Sequence, residues 1–233
     1  MTAAFVFEEL KSMANPEKVA YLQRFFKTGP GEYAEGDLFL GLMNPQTRSI
    51  AKANKSLPIS ELQILLENRY HEARLCALVI ATERYKRAKP VEKKELYDFF
   101  IKNTRYINNW DLIDDTCPHV IGEYLLDKDR SILYKFAKSK NLWEQRIAII
   151  SSRTFVRNGD FKDTIVLAEM LIDHKHDLMH KAVGWMLREI GKRDKETLSE
   201  FLEKYATKMP RTALRYAIEH YPEPERQYFL KKK

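Results

Sequence analysis

The stretches His71-Glu-Ala-Arg-Leu-Cys-Ala-Leu78, Trp143-Glu-Gln-Arg-Ile-Ala-Ile-Ile150 and Met179-His-Lys-Ala-Val-Gly-Trp-Met186 can be laid over one another. Arg74 and Arg146 stand two times thirty-six residues apart, Ala182 lies thirty-six beyond Arg146, and Trp110 falls midway between the two arginines. Within and around these stretches apolar residues recur at three- and four-residue spacing, which puts them on one face of an α-helix. No sustained apolar/polar alternation and no Asn-Gly or Asp-Gly hairpin turn occurs, so strand signals are nearly absent. The chain reads as all-α.

A period near thirty-six with two helices in each unit is that of helical solenoids of the HEAT or armadillo kind, though slightly short for them. Such stacks curve, and their inner helices line a concave groove. The expected fold is a curved solenoid of HEAT-like helical-hairpin repeats with a concave basic groove, and the alternative is an irregular helical bundle. Residues 1–233 read as one repeat domain, with 1–42 an N-terminal helical hairpin and loop and 43–233 the repeat stack. Gly29, Gly31, Gly36 and Gly41 mark that loop. Asn44-Pro45 restarts a helix, with Asn44 as N-cap and Pro45 at the first helical position. Later helices are predicted over 60–68, 71–86, 91–103, 110–126, 131–139, 142–157, 162–173, 178–191, 195–207 and 211–220.

At 233 residues and 44% hydrophobic content the chain can bury a substantial core. Its 40 Lys and Arg against 33 Asp and Glu give a net charge of +7, which favours a polyanionic partner such as nucleic acid. Cys76 lies in an apolar run and Cys117 is remote from it, so both read as reduced core residues of a cytoplasmic protein. Glu8 and Glu9 follow the first short apolar stretch with no basic leader, so the N-terminus does not read as a secretion signal. No apolar run approaches membrane-spanning length, and no obligate protein partner is evident.

The segment Asn108-Asn-Trp-Asp-Leu-Ile-Asp-Asp-Thr-Cys-Pro-His-Val-Ile-Gly122 departs from ordinary amphipathic design. Trp110 and Asp114 are four apart and share a helix face, while Asp111 points elsewhere. Pro118 has no N–H to offer the carbonyl of residue 114, which weakens or restarts the helix there. Taken alone, Trp110 reads as a core or interface aromatic and Asp114 as a cap or a solvated acid. In a repeat stack, Arg146 would hold the place in its unit that Trp110 holds in the preceding one, with Trp185 roughly one unit further, all facing one groove. Individually, Arg146 reads as a buried ion pair with Glu144 or another acid, and Trp185 as core.

Trp110-Asp-x-x-Asp114 with Pro118 and Gly122, then Leu142-Trp-x-Gln-Arg146, then Lys181-Ala-x-Gly-Trp-x-Leu-Arg-Glu189, together resemble the AlkD family of DNA alkylation repair enzymes, built from HEAT-like repeats. Phe39-Leu-Gly-Leu-x-x-Pro45-x-x-Arg48 is similar to that family's N-terminal signature, so the resemblance covers nearly the whole chain. It implies that Asp114 is the catalytic acid, that Trp110 and Trp185 flank the lesion, and that Arg146 grips the backbone near it. Two positions depart from the pattern. Asn109 stands where an aromatic can precede the matched Trp, and Phe25, aligned with a Tyr lining the cleft, lacks a hydroxyl.

The implied activity is a monofunctional glycosylase that hydrolyses the N-glycosidic bond of cationic N3- and N7-alkylated purines in double-stranded DNA, with no cofactor and no metal. Candidate backbone contacts are Lys27, Arg48, Arg146, Lys181 and Arg188, with Arg211 and Arg215 behind them; for most of these a solvated face is the competing reading. Asp173-His-Lys-His-Asp177 with His180 has the ingredients of a metal site but no distant ligand set, and reads as a solvated polar turn. Lys231-Lys-Lys233 reads as a frayed end. The competing functions are a non-catalytic DNA-binding or scaffold paralogue and a helical-repeat adaptor for proteins.

Overall fold

A computed structural model describes residues 1–232, and Lys233, the last of the expected frayed end, lies outside the described residues. The described chain is all-helical apart from one isolated bridge between Leu38 and Tyr70. Its contacts divide it into two compact units, Met1–Val120 and Ile121–Lys233.

The first unit runs through α1 (Ala3–Ser12), α2 (Pro16–Phe26), α3 (Asn44–Ala53), α4 (Ile59–Leu66), α5 (His71–Tyr85), α6 (Pro90–Lys102), a 3-10 turn and α7 (Trp110–Asp114). α5 is its centre and packs against α1, α3, α4, α6 and α7. Nearly all of its length is buried, including His71, Glu72 and Arg74, so its polar residues need partners inside the unit. α2 starts on Asn15, whose side chain accepts from Glu17 N, with Pro16 at the first helical position. It ends on Lys27, in the left-handed region at φ 59°.

The loop from α2 to α3 is held from beneath. The buried Glu72 carboxylate accepts from the backbone N–H groups of Leu40, Gly41 and Leu42, at 3.0, 2.9 and 3.2 Å. Gly41 has φ +91°, and a Cβ there would stand 2.0 Å from the Asn15 carbonyl oxygen, so the two segments meet backbone to backbone. α3 begins one residue earlier than the Asn-Pro reading: Met43 is the N-cap, its N–H is satisfied by Gln46 Oε1 at 2.9 Å, and Pro45 sits in the first turn.

The second unit comprises α8 (Ser131–Ala137), α9 (Leu142–Ser151), α10 (Arg153–Arg157), α11 (Lys162–Met170), α12 (Asp177–Gly191), α13 (Lys195–Tyr205), α14 (Arg211–Ala217) and α15 (Glu223–Lys231). α12 is its centre, packed against α9, α10, α11, α13 and α14. The three stretches that align in sequence are thus α5, α9 and α12, and the matched Arg74, Arg146 and Ala182 are all buried.

Three expectations are corrected. The helix predicted over 110–126 stops at Asp114 and resumes in a π-helical turn, Pro118–Gly122. Thr116 Oγ1 turns back onto the Leu112 carbonyl, and Pro118 has no N–H to carry the ladder. The helix predicted over 142–157 is divided at Ser152, whose hydroxyl donates to the Ile149 carbonyl at 2.7 Å. The end expected to fray carries α15 through Lys231, and Lys232 pairs with Glu203.

Candidate functional site

The sequence-predicted residues fall into two groups. Phe25, Lys27, Arg48, Trp110 and Asp114 lie in the first unit, and Arg146, Lys181, Trp185 and Arg188 in the second.

In the first unit α7 carries Trp110 at its first position and Asp114 at its last. Asn109 is the N-cap, its side-chain oxygen accepting from Trp110 N at 2.8 Å. Asn109 is fully buried, which explains in local terms why a polar residue precedes the tryptophan. Trp110 and Asp114 are both half-buried.

The Trp110 ring is backed by aromatics from α2. Phe26 stacks on it at 5.4 Å between centroids and 22° between planes, and the half-exposed Phe25 meets it edge-on at 5.9 Å. Phe39 stacks on Phe26 at 5.2 Å, so Leu22, Phe26 and Phe39 form a small core against which Trp110 rests. Such a support fixes the ring while leaving part of it accessible. A cavity of about 300 Å³ opens beside it, lined by Tyr21, Phe25, Phe26, Phe39, Met43 and Trp110, with Asn44, Asp111 and Asp115 among its polar groups.

Two residues of the cavity lining, His71 and Asp111, belong to a buried charge cluster. His71 Nε2 is 2.8 Å from Asp111 Oδ2, His71 Nδ1 is 3.5 Å from Asp37 Oδ2, and Arg74 Nη2 is 2.7 Å from the same Asp37 oxygen. Burial alone would push the imidazole pKa down, but the Asp111 carboxylate and the hydrogen bonds to both acids raise it to about 9. Burial likewise works to raise the Asp37 carboxyl, yet His71 and Arg74 hold it below its ordinary value. Two acids and two cations therefore balance within the core.

Arg48 Nη2 pairs with Asp115 Oδ2 at 2.7 Å, and Asn44 Nδ2 donates to the same oxygen at 3.1 Å. Lys27 is exposed, 3.9 Å from Glu32.

In the second unit Arg146 is buried and donates from Nη1 to the Leu178 carbonyl at 2.7 Å. Trp185 is half-buried on α12 with the Arg153 guanidinium 4.9 Å from its ring centroid. Lys181 pairs with Asp177 at 2.7 Å, and Arg188 pairs with Glu219 while lying 5.9 Å from the Tyr216 centroid. Gly184 lets α12 approach α14: a Cβ there would stand 2.4 Å from the Ala213 carbonyl oxygen.

The histidine run serves as capping. His176 Nδ1 accepts from Leu178 N at 3.1 Å to start α12, His174 Nδ1 accepts from His176 N at 3.0 Å, and His174 Nε2 meets Gln145 Oε1 at 2.9 Å. Burial and the neighbouring histidines hold His174 below its ordinary pKa, and burial does the same to His176. Among the described residues no group of three His, Cys, Asp or Glu side chains is arranged to hold a metal ion. None of the described helices is long and apolar enough to cross a membrane.

Sequence reasoning missed Phe26, Phe39, His71, Asp37 and Asp111 as the support of Trp110. The available signal was in α5, where His71-Glu-Ala-Arg74 places three charged or titratable residues directly before the unbroken apolar run from Leu75 to Ala81.

Residues 6–221 match the family model described as DNA alkylation repair enzyme. The fold resembles the solved structure of a predicted DNA alkylation repair enzyme from Enterococcus faecalis, with a TM-score of 0.71 over 90% of this chain and 97% of that one at 16% identity. No protein of curated function matches the chain.

Proposed function

Since the chain belongs to the DNA alkylation repair enzyme family, we propose that it acts in DNA repair as a monofunctional glycosylase, hydrolysing the N-glycosidic bond of cationic N3- and N7-alkylated purines in double-stranded DNA. The observation that carries this reading is the pairing on α7 of Trp110, its ring backed by Phe26, with the carboxylate of Asp114 one helical turn on.

An alkylated purine that already bears a positive charge is a good leaving group and needs little general-acid help. The sugar left behind develops oxocarbenium character, which a nearby carboxylate stabilises while orienting the attacking water. In this reading Asp114 is that carboxylate. Water adds to the anomeric carbon as the C–N bond breaks, so the products are the free base and an abasic site. The π-faces of Trp110 and Trp185 favour cationic lesions, each contact contributing about 0.5 to 2 kcal/mol. Phe25 borders the same wall as Trp110. Lys27 and Arg48 in the first unit and Arg146, Lys181 and Arg188 in the second are assigned to the duplex backbone.

Release of free base from methylated duplex, compared between wild type and Asp114→Asn at equal salt, tests the reading. Release by wild type alone is expected. Release by neither, with duplex binding intact, would make the protein a non-catalytic DNA-binding relative.

A further inference from the structure

Asp111 stands between Trp110 and Asp114, and its buried side chain, which borders the cavity beside Trp110, is tied down within the unit. Its Oδ1 accepts from Leu112 N at 2.9 Å, which closes the first turn of α7, and its Oδ2 meets His71 Nε2 at 2.8 Å. The partner is itself immobilised. His71 opens α5, its backbone N–H donates to the Leu38 carbonyl at 2.8 Å, and its ring lies 4.8 Å from both Phe26 and Phe39. Phe26 is the ring that stacks on Trp110. One imidazole thus reaches α7 twice, through the Asp111 carboxylate and through the aromatic column behind Trp110.

We propose that His71 is a positioning residue for α7: by its hydrogen bond to Asp111 and its contact with Phe26 it fixes Trp110 and Asp114 in the geometry that base excision requires, without itself touching the substrate. The inference rests on the glycosylase reading for its catalytic consequence. For the placement of Trp110 it stands alone.

The chemistry suits the task. A buried carboxylate left without a partner would pull the turn toward solvent, because an uncompensated charge in the core is strongly unfavourable. The charged groups facing the imidazole are Asp111 from α7, Asp37 from the α2–α3 loop and Arg74 from α5. Two carboxylates against one other cation leave room for a protonated ring, which offers Nε2–H to Asp111 and Nδ1–H toward Asp37. At neutral pH the ring is therefore a cation, consistent with a pKa of about 9. Above that value it keeps at most one N–H, and the charge assistance to Asp111 is lost.

The test uses the full chain and two readouts. In the first, Trp143→Phe and Trp185→Phe leave Trp110 as the sole tryptophan, the chain having 3, and acrylamide quenching of Trp110 is measured across pH. Quenching is expected to change as wild-type His71 deprotonates near pH 9, and to be altered already at neutral pH in both His71→Phe and His71→Gln. The glutamine retains an N–H donor, folds without stranding Asp111, and should show no alkaline transition. In the second, single-turnover base release is compared with duplex affinity. His71→Phe should slow release by roughly a hundred-fold, the scale set by a displacement of about 1 Å, with Kd unchanged, and His71→Gln should recover part of that rate. Unchanged Trp110 quenching in both variants overturns the proposal, as does a parallel loss of rate and affinity. Should wild type release no base, the glycosylase reading fails, and the quenching experiment still decides whether His71 positions Trp110.

Discussion

Arg48 Nη2 lies 2.7 Å from Asp115 Oδ2, on the residue that follows Asp114. The pair therefore distinguishes two adjacent acids: Asp115 serves as counter-ion to a cation assigned to the DNA backbone. Both side chains are more than a third exposed, so the pair contributes little to stability, and its consequence is electrostatic. Arg48→Ala should weaken binding to any duplex and flatten the dependence of log K on log salt by about 0.9 for a lost phosphate contact. Asp115→Asn should act in the opposite direction and tighten undamaged-duplex binding. Fluorescence anisotropy over a salt series measures both, and an unchanged slope in Arg48→Ala would remove Arg48 from the interface.

The buried His71 makes stability depend on pH in a defined direction. The folded chain holds the imidazole proton up to about 9, against an ordinary 6.5. Its stabilisation is therefore complete below the lower value and is lost as pH rises through the higher one. The size is on the order of 3 kcal/mol. Asp37, held below its ordinary 3.8, gives the other limb: its contribution is present above that value and is lost as pH falls through the folded one. Urea unfolding of wild type and His71→Gln should show a stability gap that is full at about pH 6, below the imidazole's ordinary 6.5, and narrows as pH rises toward about 10, roughly a unit above its folded value. A gap independent of pH would mean that the ring does not change charge in that range.

Both thiols are sealed in the core. Burial pushes the Cys76 thiol up to about 12, helped by Glu9, and burial raises Cys117 further still. The thiolate is the reactive form, so neither should react with iodoacetamide in the folded protein at about pH 8, and modification should follow the unfolding rate. Rapid stoichiometric labelling of the native chain would contradict the burial of Cys76 and Cys117.

Much of this fold was legible because helical periodicity is local. α5 and α12 were bounded to within a residue by their apolar spacing and flanking polar residues, and those boundaries follow from side chains three and four apart. The break after Asp114 was signalled by Pro118, which has no N–H for the carbonyl of residue 114, whereas the one at Ser152 escaped because a hydroxyl that bonds back onto the preceding turn leaves the apolar pattern intact. The support of Trp110 escaped for a different reason. Glu72 with Leu40 and His71 with Asp111 are pairs thirty-two and forty residues apart, and no period in the chain encodes such a contact. The Trp110 and Asp114 assignments came from their four-residue spacing and a family resemblance, whereas the ring behind Trp110 is a product of tertiary packing.

Gly184 gives the sharpest test of the second unit. A Cβ at this position would meet the Ala213 carbonyl oxygen at 2.4 Å and Tyr216 Cβ at 2.6 Å, and the first is backbone that cannot rotate away. Two effects of Gly184→Ala oppose one another. Alanine gains about 1 kcal/mol of helix propensity over glycine in a helix interior. Overpacking costs about 1 to 3 kcal/mol, and more where backbone must separate, so the clash wins. With the propensity gain subtracted, Tm should fall by up to roughly 8 °C for a chain of this size. Gly159→Ala is the control, since its φ of +79° strains any L side chain while nothing lies within 4 Å of its Cβ. Because Gly184 precedes Trp185, separating α12 from α14 should also shift Trp185 against Arg153 and move its fluorescence, which the control should leave alone. Equal destabilisation by the two variants, with Trp185 emission unmoved, would refute the close α12–α14 approach.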